Sequence, residues 1–107
     1  MTTFDKRKDA FESKFAHDAE LQFKAGARRN KLLGLWAAGL LGKTGEEADA
    51  YARSVVASDF EEAGDHDVFR KIRKDFDTAG VQQSDHQIRR TMDELMQTAI
   101  AQISDSL

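Results

Sequence analysis

The 107 residues carry 16 Lys and Arg against 19 Asp and Glu, a net charge of −3, and contain neither Cys nor Pro. A chain of this length makes one domain with a modest core, and without Cys it has no disulfide, no thiolate metal site and no cysteine nucleophile. The lack of Pro, with plentiful Ala, Leu, Glu, Lys, Arg and Gln, predicts an all-helical fold.

The first element is a helical run from about Phe4 to Leu41 that changes character halfway. Phe4 to Lys31 is densely charged with a thin apolar stripe, whereas Leu32 to Leu41 is apolar on nearly every face. At 1.5 Å per residue such a run is a rod of roughly 57 Å, against a radius of gyration of about 13 Å for a domain of this size. One end must therefore project, bend or lie on something else. The apolar end is the one to bury, which leaves a charged N-terminal arm, residues 1–25, on a four-helix bundle body, residues 26–107. The arm's first turns are expected to project, or to be disordered until a partner orders them.

Gly42 closes this helix with Lys43 beside it, and Thr44-Gly-Glu-Glu47 reads as a capping box for a second helix. That helix presents Ala48, Tyr51, Ala52, Val55, Val56 and Phe60 at three- and four-residue spacing. Asp65 is placed to cap a third helix through Val68, Phe69, Ile72 and Phe76, ending at Gly80. Ser84-Asp-His-Gln87 is a second capping box, opening a fourth helix with Ile88, Met92, Leu95, Met96, Ala99, Ile100 and Ile103 on its apolar face. No stretch alternates long enough for a strand. A four-helix bundle follows, with the apolar half of the first helix at its centre. The Thr78–Gln83 loop is expected to be the least constrained stretch.

Charge is unevenly distributed. Residues 1–31 hold eight Lys and Arg against five acids, and the remaining residues eight against fourteen. A basic arm on an acidic body argues against a nucleic-acid binder and suits an arm that docks on a protein surface. Phe4, Phe11 and Phe15 are seven and four residues apart and share one helical face, which Phe23 extends. That stripe is narrow for a bundle helix but suited to a groove on a partner, where aromatic anchors dominate the binding energy. Gly26 is a candidate hinge behind the arm; Gly34 and Gly39 are expected to permit close helix approach around Trp36.

Other signals are weaker. Gly42-Lys-Thr44 lacks the earlier Gly and the preceding strand of a phosphate loop. Asp65-His-Asp67 has sequential neighbours that diverge around a helix, so no metal site is expected, and the same divergence separates Glu46 from Glu47 and Glu61 from Glu62. Nothing in the pattern builds a nucleophile, an oxyanion hole or a cofactor loop, so a non-enzyme without cofactor is expected. The N-terminus lacks the apolar core of a secretory leader, and Leu32–Leu41 falls short of the ~20 apolar residues of a membrane span, so a soluble, cytoplasmic protein without membrane insertion is expected.

Two stretches carry a family resemblance: Lys14-Phe-Ala-His-Asp-Ala-Glu-Leu-Gln-Phe-Lys24 continuing through Ala27 to Gly45, and Ser58-Asp-Phe-Glu-Glu-Ala-Gly-Asp65 to Lys71. They closely resemble the zeta subunit of the alphaproteobacterial F-type ATP synthase over residues 2 to about 74. The sequence departs from the family's pattern at Gly26, where a charged helix former is expected, and over Thr78–Ser84. The resemblance implies a four-helix fold and an inhibitory N-terminal segment. That segment enters the catalytic alpha/beta interface of the F1 head, reaches toward the gamma rotor and blocks rotation in the hydrolysis direction. It further implies Phe4, Lys8, Phe11, Lys14 and Phe15 as contacts with the F1-ATPase.

Two other readings stay open on the residues themselves. One is a nucleotide-sensing bundle in which Arg28, Arg29 or Lys43 near Trp36 holds ADP or ATP. The other is an adaptor whose arm pairs with itself in a homodimer.

Overall fold

A computed structural model describes residues 18–59 and 64–106. Among them four helices and no strand are present: α1 Ala19–Leu40, α2 Gly45–Ser58, α3 His66–Ala79 and α4 Asp85–Asp105. The all-α expectation holds. Phe60 lies outside the described residues.

The first helix does not run unbroken from Phe4. Asp18 has extended backbone (φ −108°, ψ 104°), and its carboxylate accepts hydrogen bonds from the backbone N–H of Glu20 and Leu21 at 3.0 and 3.2 Å. This is an N-cap, and it satisfies donors that an interior residue would leave to the preceding turn. Downstream the helix continues without interruption through Gly26 to Leu40, so Gly26 is no hinge here. At the far end Gly42 takes φ +77°, with Lys43 N–H donating to Ala38 O at 2.9 Å and Gly42 N–H to Gly39 O at 3.2 Å. That pair of bonds, with a left-handed residue only Gly adopts cheaply, is a Schellman stop.

α1 packs on α2 and α4, and α3 closes the far side against the same two helices. The main core joins Leu33, Ala37 and Ala38 of α1, Tyr51 and Val55 of α2, Val68, Ile72 and Phe76 of α3, and Ile88 and Met92 of α4. Phe76 is fully buried and meets the edge of Trp36 at 5.6 Å between ring centroids. Burying a side chain of this size stabilises the fold by about 1.5–3 kcal/mol. α1 is not buried on every face, however: Leu35 and Leu40 remain exposed. Gly34 does sit at a close helix crossing, against Ala52, whereas Gly39 has no neighbour within 4 Å of where a Cβ would lie.

Ser84 and Gln87 form the expected reciprocal capping box at α4. Thr44 and Asp65 sit at their N-cap positions, but neither side chain makes a capping bond. Nor is the α3–α4 loop loose. Gly80 stops α3 in left-handed conformation with Val81 N–H on Phe76 O at 2.9 Å, and Val81 packs on the main core. Arg73 spans the loop, donating to Gln83 O at 2.6 Å, Asp85 at 3.0 Å and Asp77 at 2.7 Å.

Candidate functional site

Phe4, Lys8, Phe11, Lys14 and Phe15 lie outside the described residues. The structure does describe the start of α1, which follows them in the chain. The first two turns of α1 place Leu21 and Ala25, four residues apart and so on one face, into a small apolar cluster with Ile103, against which Met96 and Ile100 also pack. Glu20 and Lys24, an exposed i,i+4 ion pair at 3.2 Å, and the exposed ring of Phe23 lie away from that cluster.

The candidate nucleotide group is not drawn together. Arg28 is exposed, while Arg29 is buried. Trp36 stands about 10 Å further along the helix axis and is engaged with Phe76. Lys43, past the end of α1, lies 6.0 Å from the centroid of the Tyr51 ring.

Arg29 instead belongs to a polar network that crosses the bundle and includes Asp59 at the end of α2 and Asp65 at the start of α3. Its Nε donates to Asn30 Oδ1 at 2.6 Å, and its Nη1 meets Asp65 Oδ2 at 3.4 Å. Asn30, fully buried, donates from Nδ2 to Asp59 Oδ2 at 2.9 Å. Asp65 also accepts from Arg89 Nη1 on α4 at 2.8 Å. Arg89 in turn reaches His66 Nδ1 at 2.9 Å and lies 4.5 Å over the Phe69 ring, on which His66 stacks. Three helices and a connection are thereby tied by charge-assisted bonds. Asp65 is also explained as a silent N-cap: its carboxylate is already held by two guanidinium groups.

The two carboxylates of this network are shifted in opposite senses. Burial pushes the Asp59 carboxyl up, further assisted by the nearby charges of Asp67 and Asp65, against the opposing pull of Asn30 and Arg29; its Oδ1 is buried with no hydrogen-bond partner among the described residues. Burial also acts to raise Asp65, but the hydrogen bond from Arg89 and the charges of Arg29 and Arg89 outweigh it and hold that carboxyl below its usual range. Between α2 and α3, Tyr51 donates to Asp75 Oδ2 at 2.7 Å, with Lys71 on the same oxygen at 3.0 Å and over the ring at 5.1 Å. Burial, then the bond to Asp75 and its charge, push the phenol up.

These are ties between helices. Among the described residues no group of three or more His, Cys, Asp and Glu is placed to hold a metal ion, and the Ser54 and Ser58 hydroxyls donate back to carbonyls of their own helix at 2.6 Å. No helix among them is long and apolar enough to cross a membrane.

The family model of ATPase inhibitor subunit zeta matches residues 1–102. The chain belongs to this family. A protein solved by solution NMR is similar to it, with 52% sequence identity, a TM-score of 0.72, and coverage of 81% of this chain and 99% of that one. No curated protein matches it. As a zeta-family member, the chain is of a kind that inhibits the F1-ATPase and regulates it. The polar network was not anticipated from sequence, although one signal pointed to it. Asn30 occupies an apolar register, three and seven residues before the buried Leu33 and Ala37, a position that calls for buried partners.

Proposed function

We propose that this chain inhibits the F1-ATPase by inserting its N-terminal arm, residues 1–25, at the catalytic alpha/beta interface near the gamma rotor. Phe4, Phe11 and Phe15 anchor in the subunit crevice, and Lys8 and Lys14 meet its acidic rim. A helix wedged there is compressed when the rotor turns in the hydrolysis direction and released when it turns the other way. The bundle is the body that carries the arm; it performs no catalysis and needs no cofactor, and its place of action is the cytoplasmic face where F1 stands. The observation that carries this reading is the family match, which begins at residue 1 and so includes the arm. The aromatic spacing of the arm and the capped, braced start of α1 at Asp18 support it.

The test is ATP hydrolysis by F1-ATPase from the same source, titrated with wild-type protein and with the Phe11→Ala, Phe15→Ala double variant. Wild-type protein inhibits. The double variant loses affinity by about 2 kcal/mol or more, as expected for removing aromatic anchors. Equal potency of the two proteins contradicts the anchor assignment.

A further inference from the structure

Resting on the reading just given, we propose that the last turns of α4 are a clasp that positions the inhibitory arm. Ile103, with Met96 and Ile100, holds the base of the arm in the direction in which it docks.

Among the described residues the apolar interior is in two parts. The main core runs from Leu33 to Met92 and draws on all four helices. Among the described residues the second part draws on α1 and α4: Leu21 and Ala25 on one side, Ile103 on the other, with Met96 and Ile100 against them. Ala25 is fully buried there, and Leu21 and Ile103 are each 8% exposed. α1 runs from Leu21 to Arg28 before its buried positions pass, at Arg29, to the polar network and the main core. Among the described residues, the apolar cluster over that span joins α1 to α4. Neither α2 nor α3 contributes a side chain to the cluster.

Helices fray from their ends, and two turns of isolated helix are not stable in water. The Asp18 cap satisfies the first backbone donors, but a cap alone does not set the direction of a helix. The clasp does so, because its contacts lie one and two turns beyond the cap, on the face toward α4. An arm that leaves a fixed helix end reaches its groove with part of its ordering already complete. An arm that leaves a frayed end must order that segment as it binds, and its affinity falls accordingly. The clasp is also local: removing it leaves the main core's residues in place, so the body remains folded while the arm's base loosens.

The experiment compares Ile103→Ala with Val55→Ala in the full-length chain. Val55 is fully buried in the main core and touches no member of the clasp cluster. Three quantities are read: the thermal midpoint, amide hydrogen exchange of residues 19–26, and the concentration needed to half-inhibit F1-ATPase hydrolysis. Ile103→Ala is expected to accelerate exchange in residues 19–26 and to raise the half-inhibitory concentration about tenfold, the scale of ordering roughly one further residue on binding. Val55→Ala is expected to lower the thermal midpoint at least as much, with exchange in residues 19–26 and potency near wild type. Ile103→Leu, which keeps the apolar volume, restores both. Unchanged or improved potency in Ile103→Ala, or an equal loss in Val55→Ala, overturns the clasp while leaving inhibition by the arm intact. Wild-type protein that does not inhibit at all overturns the functional reading, and the clasp's role with it.

Discussion

Gly34 of α1 lies so close to Ala52 of α2 that a Cβ built on the glycine falls 2.6 Å from the Ala52 Cα atom and 3.1 Å from its Cβ. The obstructing atom is backbone, so no rotamer change relieves it, and the two helices must separate to admit even one methyl group. Gly34→Ala is expected to destabilise the protein by about 1–3 kcal/mol, the scale of overpacking in a filled core. Urea unfolding measures it. A variant as stable as wild type would mean that the α1–α2 crossing is looser than described.

Gly26 presents the opposite case on the same helix. It is helical, and among the described residues nothing beyond its own stretch of helix lies within 4 Å of where a Cβ would be. Gly26→Ala is therefore expected to stabilise by about 0.5–1 kcal/mol, through helix propensity and a less flexible unfolded chain. A thermal midpoint higher by a few degrees is the readout; a lower one would restore a strained or bent role to this residue.

Asp59 and Asp65 make opposite contributions to pH dependence. Asp59, pushed up first by burial, binds its proton more tightly in the native state than in the unfolded one. Its ionisation therefore subtracts stability, an effect absent below about pH 4 and growing as pH rises through its native value. Asp65 is held low, with burial outweighed by Arg89 and Arg29. Its contribution is present above about pH 4 and is lost as pH falls through its native value. Asp59→Asn is expected to be at least as stable as wild type at pH 7, an advantage that disappears below about pH 4. Asp65→Asn should lose about 1–2 kcal/mol at pH 7, since it leaves the buried Arg29 guanidinium without its carboxylate, discounted for the partial exposure of Asp65. The two variants converge on wild type in acid. Denaturant midpoints at pH 3, 5 and 7 measure both, and parallel profiles for the two variants would refute the assignment.

Tyr51→Phe removes the hydroxyl that donates to Asp75 at 2.7 Å but leaves the ring and the Lys71–Asp75 pair. The expected cost is about 1–2 kcal/mol for a hydrogen bond to a charged acceptor. A double-mutant cycle with Asp75→Asn measures the coupling; a coupling near zero would show that Lys71 alone satisfies the carboxylate.

What was legible in the sequence was mostly local. Gly42 and Gly80 mark helix ends because only glycine takes their positive φ readily, and Ser84 with Gln87 satisfies each other's backbone within one turn. The apolar faces of α3 and α4 follow directly from spacing: Val68, Ile72 and Phe76, then Ile88, Met92, Ala99 and Ile103, are all buried. The failures have non-local causes. Asp65 has the right type and place for a cap, yet Arg29 and Arg89, 36 and 24 residues away, hold its carboxylate. Asp18 caps a helix inside what periodicity alone reads as continuous, because the charged stretch before it supplies no apolar contrast to mark a boundary. Asn30 and Asp59 meet across 29 residues, a pairing that spacing cannot reveal. Of the proposed docking site, the aromatic stripe was legible in sequence, and the five residues proposed as contacts lie outside the described residues. The brace behind it, Leu21 and Ala25 on Ile103, required the fold.

The most direct test of inhibition by the arm is a titration of F1-ATPase hydrolysis with the full-length chain and with a fragment of residues 18–107. Starting at Asp18 keeps the helix cap and both apolar clusters, so circular dichroism of the fragment should match that of the body. The account predicts that the full-length chain inhibits and the folded fragment does not. A folded fragment that inhibits as strongly as the full-length chain would contradict it, and would move the inhibitory contact onto the bundle.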